Sequence, residues 1–502
     1  MRGKKWSPIT DLPSDLRTYQ SDELQSLSKV WQEQRLRLEK MGIVERFLEK
    51  LRRHVAVEAG IIERLYTLDR GVTFALIEQG LDESLIAHGT ADRPAQEIMA
   101  LIRDQKSAID QVFNFVGSQR DLSTSFIKQL HQLLTRHQDT TQALDQFGNL
   151  GEVELIKGDW KRLPNNPRRT DGSVHEYCPP EQVESQMIQM LEWHLDHLKS
   201  AISPEVEAAW LHHRFTQIHP FQDGNGRVAR LLATLVLLKA GWFPLVLLDE
   251  NMDMHGRTTY IEALEKADDG NLNPLIALVV RVQKRAFVQA LSLSQEALSS
   301  HQSIEALISS GVERVKQAGL IPLSERRKRG AALADQLVAV VCQRFEQIAQ
   351  QIRLQFQQAG YDETLRVSAE CGPMGSANAG YYRKQIIDVA KRLSYYANLS
   401  GYKAWAKLNI RVKGITTVLI VSFHELGTLS SDVLVVSAFA FRRSVNDESG
   451  ESEWGDLEVL SDSTLTFTFQ DSVDKLKPRV ATWIDEIIRI GLIYWQKGLD
   501  GG

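Results

Sequence analysis

The chain has 502 residues, of which 43% are hydrophobic and 25% charged. That is the make-up of globular protein with room for several cores, and it excludes wholesale disorder, collagen-like repeats and a disulfide scaffold. Fifty-nine Lys and Arg against 64 Asp and Glu leave a net charge of −5, so neither nucleic acid nor a membrane surface is expected as main partner, and any anion site must be local.

The N-terminal Met-Arg-Gly-Lys-Lys-Trp is basic, but polar residues follow where a secretory signal needs an apolar stretch. No run approaches the ~18 apolar residues of a membrane span. Cys178, Cys342 and Cys371 lie far apart without CxxC spacing, a sparse, odd set that suits a reducing compartment. The expectation is a cytoplasmic protein.

From Asp22 to Leu144 apolar residues recur at three- and four-residue steps, as in Leu24, Leu27, Val30 and Trp31, which predicts helices. Gly71, Gly80 and Gly89 punctuate them, and Asp121-Leu-Ser-Thr reads as a helix start. Gly151–Pro180 breaks the rhythm with Gly158, Pro164, Pro167, Gly172 and Pro179-Pro180. It predicts a hairpin or flap with arms near Leu155–Lys161 and Val174–Cys178. Helices resume from Glu181 to about Ser299, and a connector with the basic run Arg326–Arg329 follows. A long helix is expected over 331–359. Then the period changes: Ala404–Val412, Thr416–His424, Val433–Arg442 and Thr464–Phe469 read as strands, and an amphipathic helix near 474–497 closes the chain. The fold class expected is mainly α, a helical bundle with a β-hairpin flap, followed by a C-terminal α+β domain. The expected division is an N-terminal helical region over 1–120, a core over 121–285, a helical linker over 286–330 and an accessory domain over 331–502.

The informative stretch is His219-Pro-Phe-Gln-Asp-Gly-Asn-Gly-Arg-Val-Ala-Arg230. The run after it, Leu231–Leu238, is apolar on nearly every face, as a central buried helix must be. Arg227 and Arg230, three apart, enter that helix on one side and need an anion there. The first backbone N–H groups of the helix lack partners and the dipole favours negative charge. Gly224 and Gly226 allow close approach of a ligand, and Asn225 between them can donate from its amide. Together these read as a phosphate cradle. Asp223 is one carboxylate beside it, the usual way to hold Mg²⁺ against phosphate oxygens. His219 titrates near neutrality and can take a proton. A base, a metal carboxylate and a polyphosphate cradle point to transfer of a phosphorus group to a hydroxyl.

This segment resembles the Fic (filamentation induced by cAMP) motif, HPFx(D/E)GNGRxxR, at every fixed position. The resemblance extends over 121–285 and implies a Fic-type bundle that moves AMP from ATP to a Ser, Thr or Tyr hydroxyl of a protein. Carried over by position, it makes His219 the general base, Asp223 the Mg²⁺ ligand, and Gly224, Asn225 and Gly226 the phosphate cradle. Arg227 would serve the β-phosphate and Arg230 the γ-phosphate. It assigns Lys161, Arg162 and Leu163 to a flap that pins an extended target segment, and places Tyr260 near the base or ribose, or else as a packed aromatic.

Many members carry an inhibitory helix, (S/T)xxxE(G/N), whose Glu pairs with the second arginine. Ala59-Gly-Ile-Ile-Glu63-Arg64 is similar, which makes Glu63 the partner of Arg230, but Ala59 replaces the hydroxyl residue and Arg64 the Gly or Asn. Thr73 and Glu78 form a second, worse-spaced candidate. The partners implied are ATP and a protein target, the chain itself included, with a homodimer also open. Removal of AMP, transfer of another nucleotide or phosphate group, and a non-catalytic nucleotide-sensing adaptor stand as alternatives.

Overall fold

The computed structural model describes residues 5–39, 43–86, 90–118, 120–144, 150–167, 173–248, 254–300, 323–360, 365–372, 382–412, 414–427, 433–445, 452–454, 457–461 and 464–499. Gly89, the 301–322 part of the expected linker and residues 373–380 of a Gly-rich stretch, Cys371-Gly-Pro-Met-Gly-Ser-Ala-Asn-Ala-Gly380, lie outside them. The chain divides into two compact units: Met1–Ser21 with Val44–Gln283, and Asp22–Ile43 with Lys284–Gly502. The expected N-terminal region and core thus fall mostly in the first unit. Helix α1 (Asp22–Glu39) belongs to the second.

The first unit is helical. It holds α2 (Ile43–Ile62), α3 (Arg70–Glu78), α4 (Ala95–Gly117), α5 (Thr124–Leu134), the hairpin β1–β2 (Thr140–Leu144, Leu150–Glu154), α6 (Val183–Lys199), α7 (Pro204–Ile218), α8 (Asn225–Lys239), α9 (Met254–Asp268) and the start of α10 (Asn273–Ser300). Helix α8 is buried at almost every position from Asn225 to Leu237, with α4, α5 and α7 packed around it. This is what an all-round apolar helix requires. Ser123 begins α5 by accepting a hydrogen bond from the Phe126 N–H at 3.3 Å, as the Asp121-Leu-Ser-Thr sequence predicts. Helices α2, α3 and α4 close a second core of Ala56, Val57, Leu76, Ile98 and Ile102.

The hairpin lies earlier than the sequence places it. Thr140 pairs with Glu154 and Leu144 with Leu150 in an antiparallel ladder, whereas among the described residues 155–161 form no strand and 174–178 hold only a single bridge residue, Val174. Threonine and alternating apolar residues suit 140–154 to a ladder. The prolines and glycine after Leu155 remove donors and turn the chain.

The second unit is an antiparallel sheet with helices on both faces. Strands β3 (Leu365–Gly372), β4 (Ala397–Val412), β5 (Ile415–Leu426), β6 (Val433–Val445) and β7 (Ser452–Trp454) lie side by side, and β8 (Glu458–Val459) and β9 (Leu465–Thr468) also pair with β6. Alternation sends Leu408, Leu419, Val421 and Ala438 to one face. There they meet Leu337, Val341 and Phe345 of α11 (Leu323–Gln358) and Val480, Ile484 and Ile487 of α13 (Val473–Leu499). Helix α12 (Arg383–Arg392) covers part of the other face through Ile386 and Val389. Glu23 ties α1 to this unit by accepting from the Thr466 N–H and hydroxyl at 2.8 and 2.6 Å.

Cys342 of α11 and Cys371 of β3 form a disulfide across 29 positions, with Cα atoms 6.2 Å apart. The sequence reading kept these thiols separate; packing of the long helix on the sheet brings them together. Among the described residues no helix is long and apolar enough to cross a membrane.

Candidate active site

The loop 219–224 joins α7 to α8 inside the first unit, and the rest of the motif, 225–230, forms the start of α8. His219 ends α7 in the left-handed region, φ 54°, its N–H donating to the Phe215 carbonyl at 2.9 Å. A non-glycine residue pays strain there, a common feature of functional positions. Gly224 starts α8 at φ 78°, where glycine sits without cost. Asn225 closes the loop: its Oδ1 accepts from the Phe221 N–H at 2.9 Å and its Nδ2 donates to the Phe221 carbonyl at 2.7 Å. One of the two amide hydrogens that the sequence reading aims at phosphate is therefore engaged with the loop itself, where the Asn225 side chain acts as a brace.

His219 Nδ1 faces the Thr216 carbonyl at 3.2 Å, and a carbonyl can only accept. Nδ1 thus carries the hydrogen and Nε2 the lone pair. The ring stacks on Tyr177 at 3.8 Å. Burial, then the charge of Lys161, push the imidazole down to about 3, so it is neutral at physiological pH.

Asp223 Oδ1 accepts from the Gly224 N–H, and Oδ2 accepts from Gln138 Nε2, both at 2.5 Å. Burial raises this carboxyl, but Arg227, the Gly224 N–H and the Gln138 amide outweigh it and hold it below its ordinary value. Its side chain is still 37% exposed. Gln138 Oε1 in turn accepts from Arg227 Nη2 at 2.7 Å, while Arg227 Nη1 donates to the Leu134 carbonyl at 3.1 Å. One amide therefore couples the Asp223 carboxylate to the first arginine.

His131 is the second brace. It stacks on Phe221 at 3.8 Å, accepts from the Gly158 N–H at Nδ1 (2.9 Å), and meets the Asp223 carbonyl at Nε2 (3.0 Å). Burial pushes it down to about 4, so it is neutral and Nε2 donates. Sequence reasoning missed both Gln138 and His131. Their signal is three-dimensional, since their partners lie 85 and 92 positions away.

Glu63 and Arg230 meet at 2.8 Å, the guanidinium 5% and the carboxylate 28% exposed. Burial lowers Arg230, but the Glu63 carboxylate overrides it and holds the charge firmly in place. A methyl at Gly226 would overlap Glu63 Oε1. The carboxylate therefore lies directly on the first turn of α8, where an anion is favoured.

The end of α2 is built to hold it there. Arg64 takes φ 56°, and the Leu65 N–H reaches back to the Gly60 carbonyl at 2.9 Å, the closure of a Schellman turn. Arg257 Nε donates to the Ile62 carbonyl at 2.9 Å. Glu58, buried, accepts from the Leu247 and Leu248 N–H groups at 3.0 and 2.9 Å. Ala59 supplies no such tie; with Arg227 and Arg230 it lines a void of about 10 Å³.

The remaining candidates are not all at this center. Tyr260 is buried beside Arg230, with hydrogen bonds to the Arg230 guanidinium and, at 2.9 Å, to His212 Nε2. Lys161 is buried too: its N–H donates to the Pro220 carbonyl at 2.8 Å and its Nζ to Asn165 Oδ1 at 2.8 Å. Burial pushes its ammonium down to about 8. Arg162 and Leu163 are exposed, in a bend rather than a strand. Thr73 and Glu78 lie elsewhere, Glu78 paired with Lys50 at 2.5 Å.

Residues 121–237 match the Fic/DOC family, so the stretch that holds this loop is a Fic domain. Among curated proteins, the chain is 28% identical over 217 residues to protein adenylyltransferase fic-1 of Caenorhabditis briggsae, spanning 43% of this chain and 36% of that one. It is 36% identical over 120 residues to protein adenylyltransferase Fic of Nematostella vectensis, spanning 24% and 27%. The chain thus covers about a third of the length of these relatives. Among solved structures, it is similar to a Fic-domain-containing signaling protein of Bacteroides thetaiotaomicron, at 21% identity and a TM-score of 0.41 over 54% of this chain and 97% of that one.

The left-handed Arg64 gives a test of how α2 is held. Arg64→Gly should stabilize the chain by about 1 kcal/mol, because glycine removes the left-handed penalty. Urea unfolding of the two proteins checks this; equal midpoints would mean the turn carries no strain.

Proposed function

We propose that the chain is a protein adenylyltransferase that moves AMP from ATP to a Ser, Thr or Tyr hydroxyl of a target protein, and that Glu63 holds it at rest. The observation that carries this reading is the joint placement of a neutral imidazole, a carboxylate kept anionic and the first turn of α8 on one braced loop.

His219 Nε2 takes the proton of the target hydroxyl. The hydroxyl oxygen bonds to the α-phosphorus, the bond from that phosphorus to the β-phosphate oxygen breaks, and pyrophosphate leaves. The backbone N–H groups after Gly224 bind phosphate, Arg227 offsets charge on the β-phosphate side, and Arg230 meets the γ-phosphate once Glu63 withdraws. Asp223 suits Mg²⁺, being a single, partly exposed carboxylate held in its charged form. When bound, the ion supplies positive charge to the phosphate oxygens. Gln138 keeps Asp223 and Arg227 in step. Arg162 and Leu163, exposed beside the loop, are the flap residues open to an extended target segment.

Glu63 and a γ-phosphate compete for one guanidinium and one helix end. In Glu63→Gly, incorporation of α-labelled AMP into the chain or into a target should rise by roughly tenfold or more, the effect of removing ~1.4 kcal/mol of preference for the resting state. Labeling equal to wild type under matched ATP and Mg²⁺ would remove Glu63 as the restraint. AMP released from a labeled target without ATP would assign the reverse reaction instead.

In the Glu63→Gly background, His219→Ala should abolish transfer while nucleotide still binds; undiminished labeling would exclude His219 as the base.

The base is already deprotonated, which fixes a pH dependence. With the imidazole held to about 3, protonation removes it only as pH falls toward that value. The kcat/KM of Glu63→Gly should therefore show no acid limb near the ordinary histidine value of about 6.5. A pH–rate profile that drops tenfold per unit below 6.5 would contradict the neutral imidazole.

A further inference from the structure

The second unit carries a cleft of about 440 Å³ on the sheet face opposite α11 and α13. It sits within one unit, and nothing in the reading of the Fic domain uses it. Register builds it. Arg366 of β3 stands directly opposite Arg411 of β4, Arg411 opposite Thr416 of β5, and Thr416 opposite Arg443 of β6. Residues opposite one another share a face, so three guanidiniums from three strands form one row along the cleft. Like charges set directly opposite in a sheet are destabilizing. Arg411 has no ion pair among the described residues and is exposed. The fourth cation of the cleft, Lys407, is matched by Glu370, across the β3–β4 pair at 2.9 Å. That carboxylate therefore neutralizes the lysine end of the cleft, while Arg366 and Arg443 have interactions of their own and Arg411 is the exposed guanidinium between them.

The floor differs from the edge. Tyr382 and Phe441 are both buried, with ring centroids 6.4 Å apart and planes tilted by 44°, and Val418 lies opposite Phe441 on the neighboring strand. The cleft therefore joins an apolar aromatic floor to a planar-donor rim. Arginines in such a row fit phosphate oxygens bidentately, and an aromatic floor accepts a flat ring. The volume lies in the ordinary range for a small-molecule site, roughly 300–1,000 Å³. A cleft this short, on a chain of net charge −5, fits a single small anion better than a polynucleotide.

We propose that this cleft binds a small phosphorylated ligand bearing a planar ring, of mononucleotide size. The phosphate lies along Arg366, Arg411 and Arg443, and the ring over Tyr382 and Phe441. The proposal is independent of the adenylyltransferase reading, because it concerns a second site with its own residues.

The test must tell the cleft from the Fic domain. The full chain is photolabelled with 8-azido-AMP, digested, and mapped by mass spectrometry. Label is expected on peptides containing Tyr382 or Phe441. It should fall roughly tenfold in Arg411→Glu, where an exposed charge-assisted contact is reversed, and fall also in Arg366→Ser, with circular dichroism unchanged in both. AMP should compete with the label better than inorganic phosphate, and adenosine should compete poorly. Label confined to peptides of 121–237, or unaltered in both variants, overturns the site. Inorganic phosphate competing as well as AMP overturns the aromatic half of the assignment.

Discussion

A guanidinium buried in a helix must be answered by an anion, and α8 carries two of them. Arg227 is answered from within the domain by the Leu134 carbonyl, Gln138 and, at 3.9 Å, Asp223. Arg230 is answered by a carboxylate from another helix, Glu63 at the end of α2, with the Tyr260 hydroxyl as a further partner. Breaking a buried pair of this kind leaves an uncompensated charge and is costly. The pair is therefore stable until another anion replaces the carboxylate, and the rest of the site follows from that demand. Gly226 has no side chain because Glu63 lies on it. Glu58, Arg257 and the turn at Arg64 keep the end of α2 where the carboxylate can reach.

Much of this was legible in the sequence, for reasons that differ by element. The all-apolar run after Arg230 could only be a buried helix, and it is. The period-2 stretches at 404–412, 416–424 and 433–442 are the central strands of the sheet. Strand β3 and helix α12 carried weaker patterns beside a Gly-rich stretch and were not anticipated. The hairpin was set too late because proline and glycine mark breaks more clearly than they mark which neighbor forms the ladder. The disulfide was invisible, since the two cysteines belong to a helix and a strand whose packing the sequence does not state. Local spacing shows what shares a turn or a face. It does not show what is brought from 85 positions away, as Gln138 is.

The site divides its labor between groups that face a ligand and groups that fix those groups. His219, Asp223 and the first turn of α8 face outward. Gln138 and His131 stand behind them, each bonded at two points, Gln138 to Asp223 and Arg227 and His131 to Gly158 and Asp223. Both histidines are neutral for the same reason, burial, yet they do different things. His131 spends both nitrogens on the protein. His219 spends one and keeps a lone pair. Charge at either would be opposed by the arginines and Lys161 nearby.

The ring that Asn225 closes onto Phe221 has a thermodynamic consequence. Its two hydrogen bonds fix the loop with protein atoms alone. An incoming anion meets a preorganized receptor, and little chain entropy is lost on association. Under the proposed function, occupancy turns on the exchange of one carboxylate for one phosphate, a trade of near-equals that small differences in concentration or anchoring can tip.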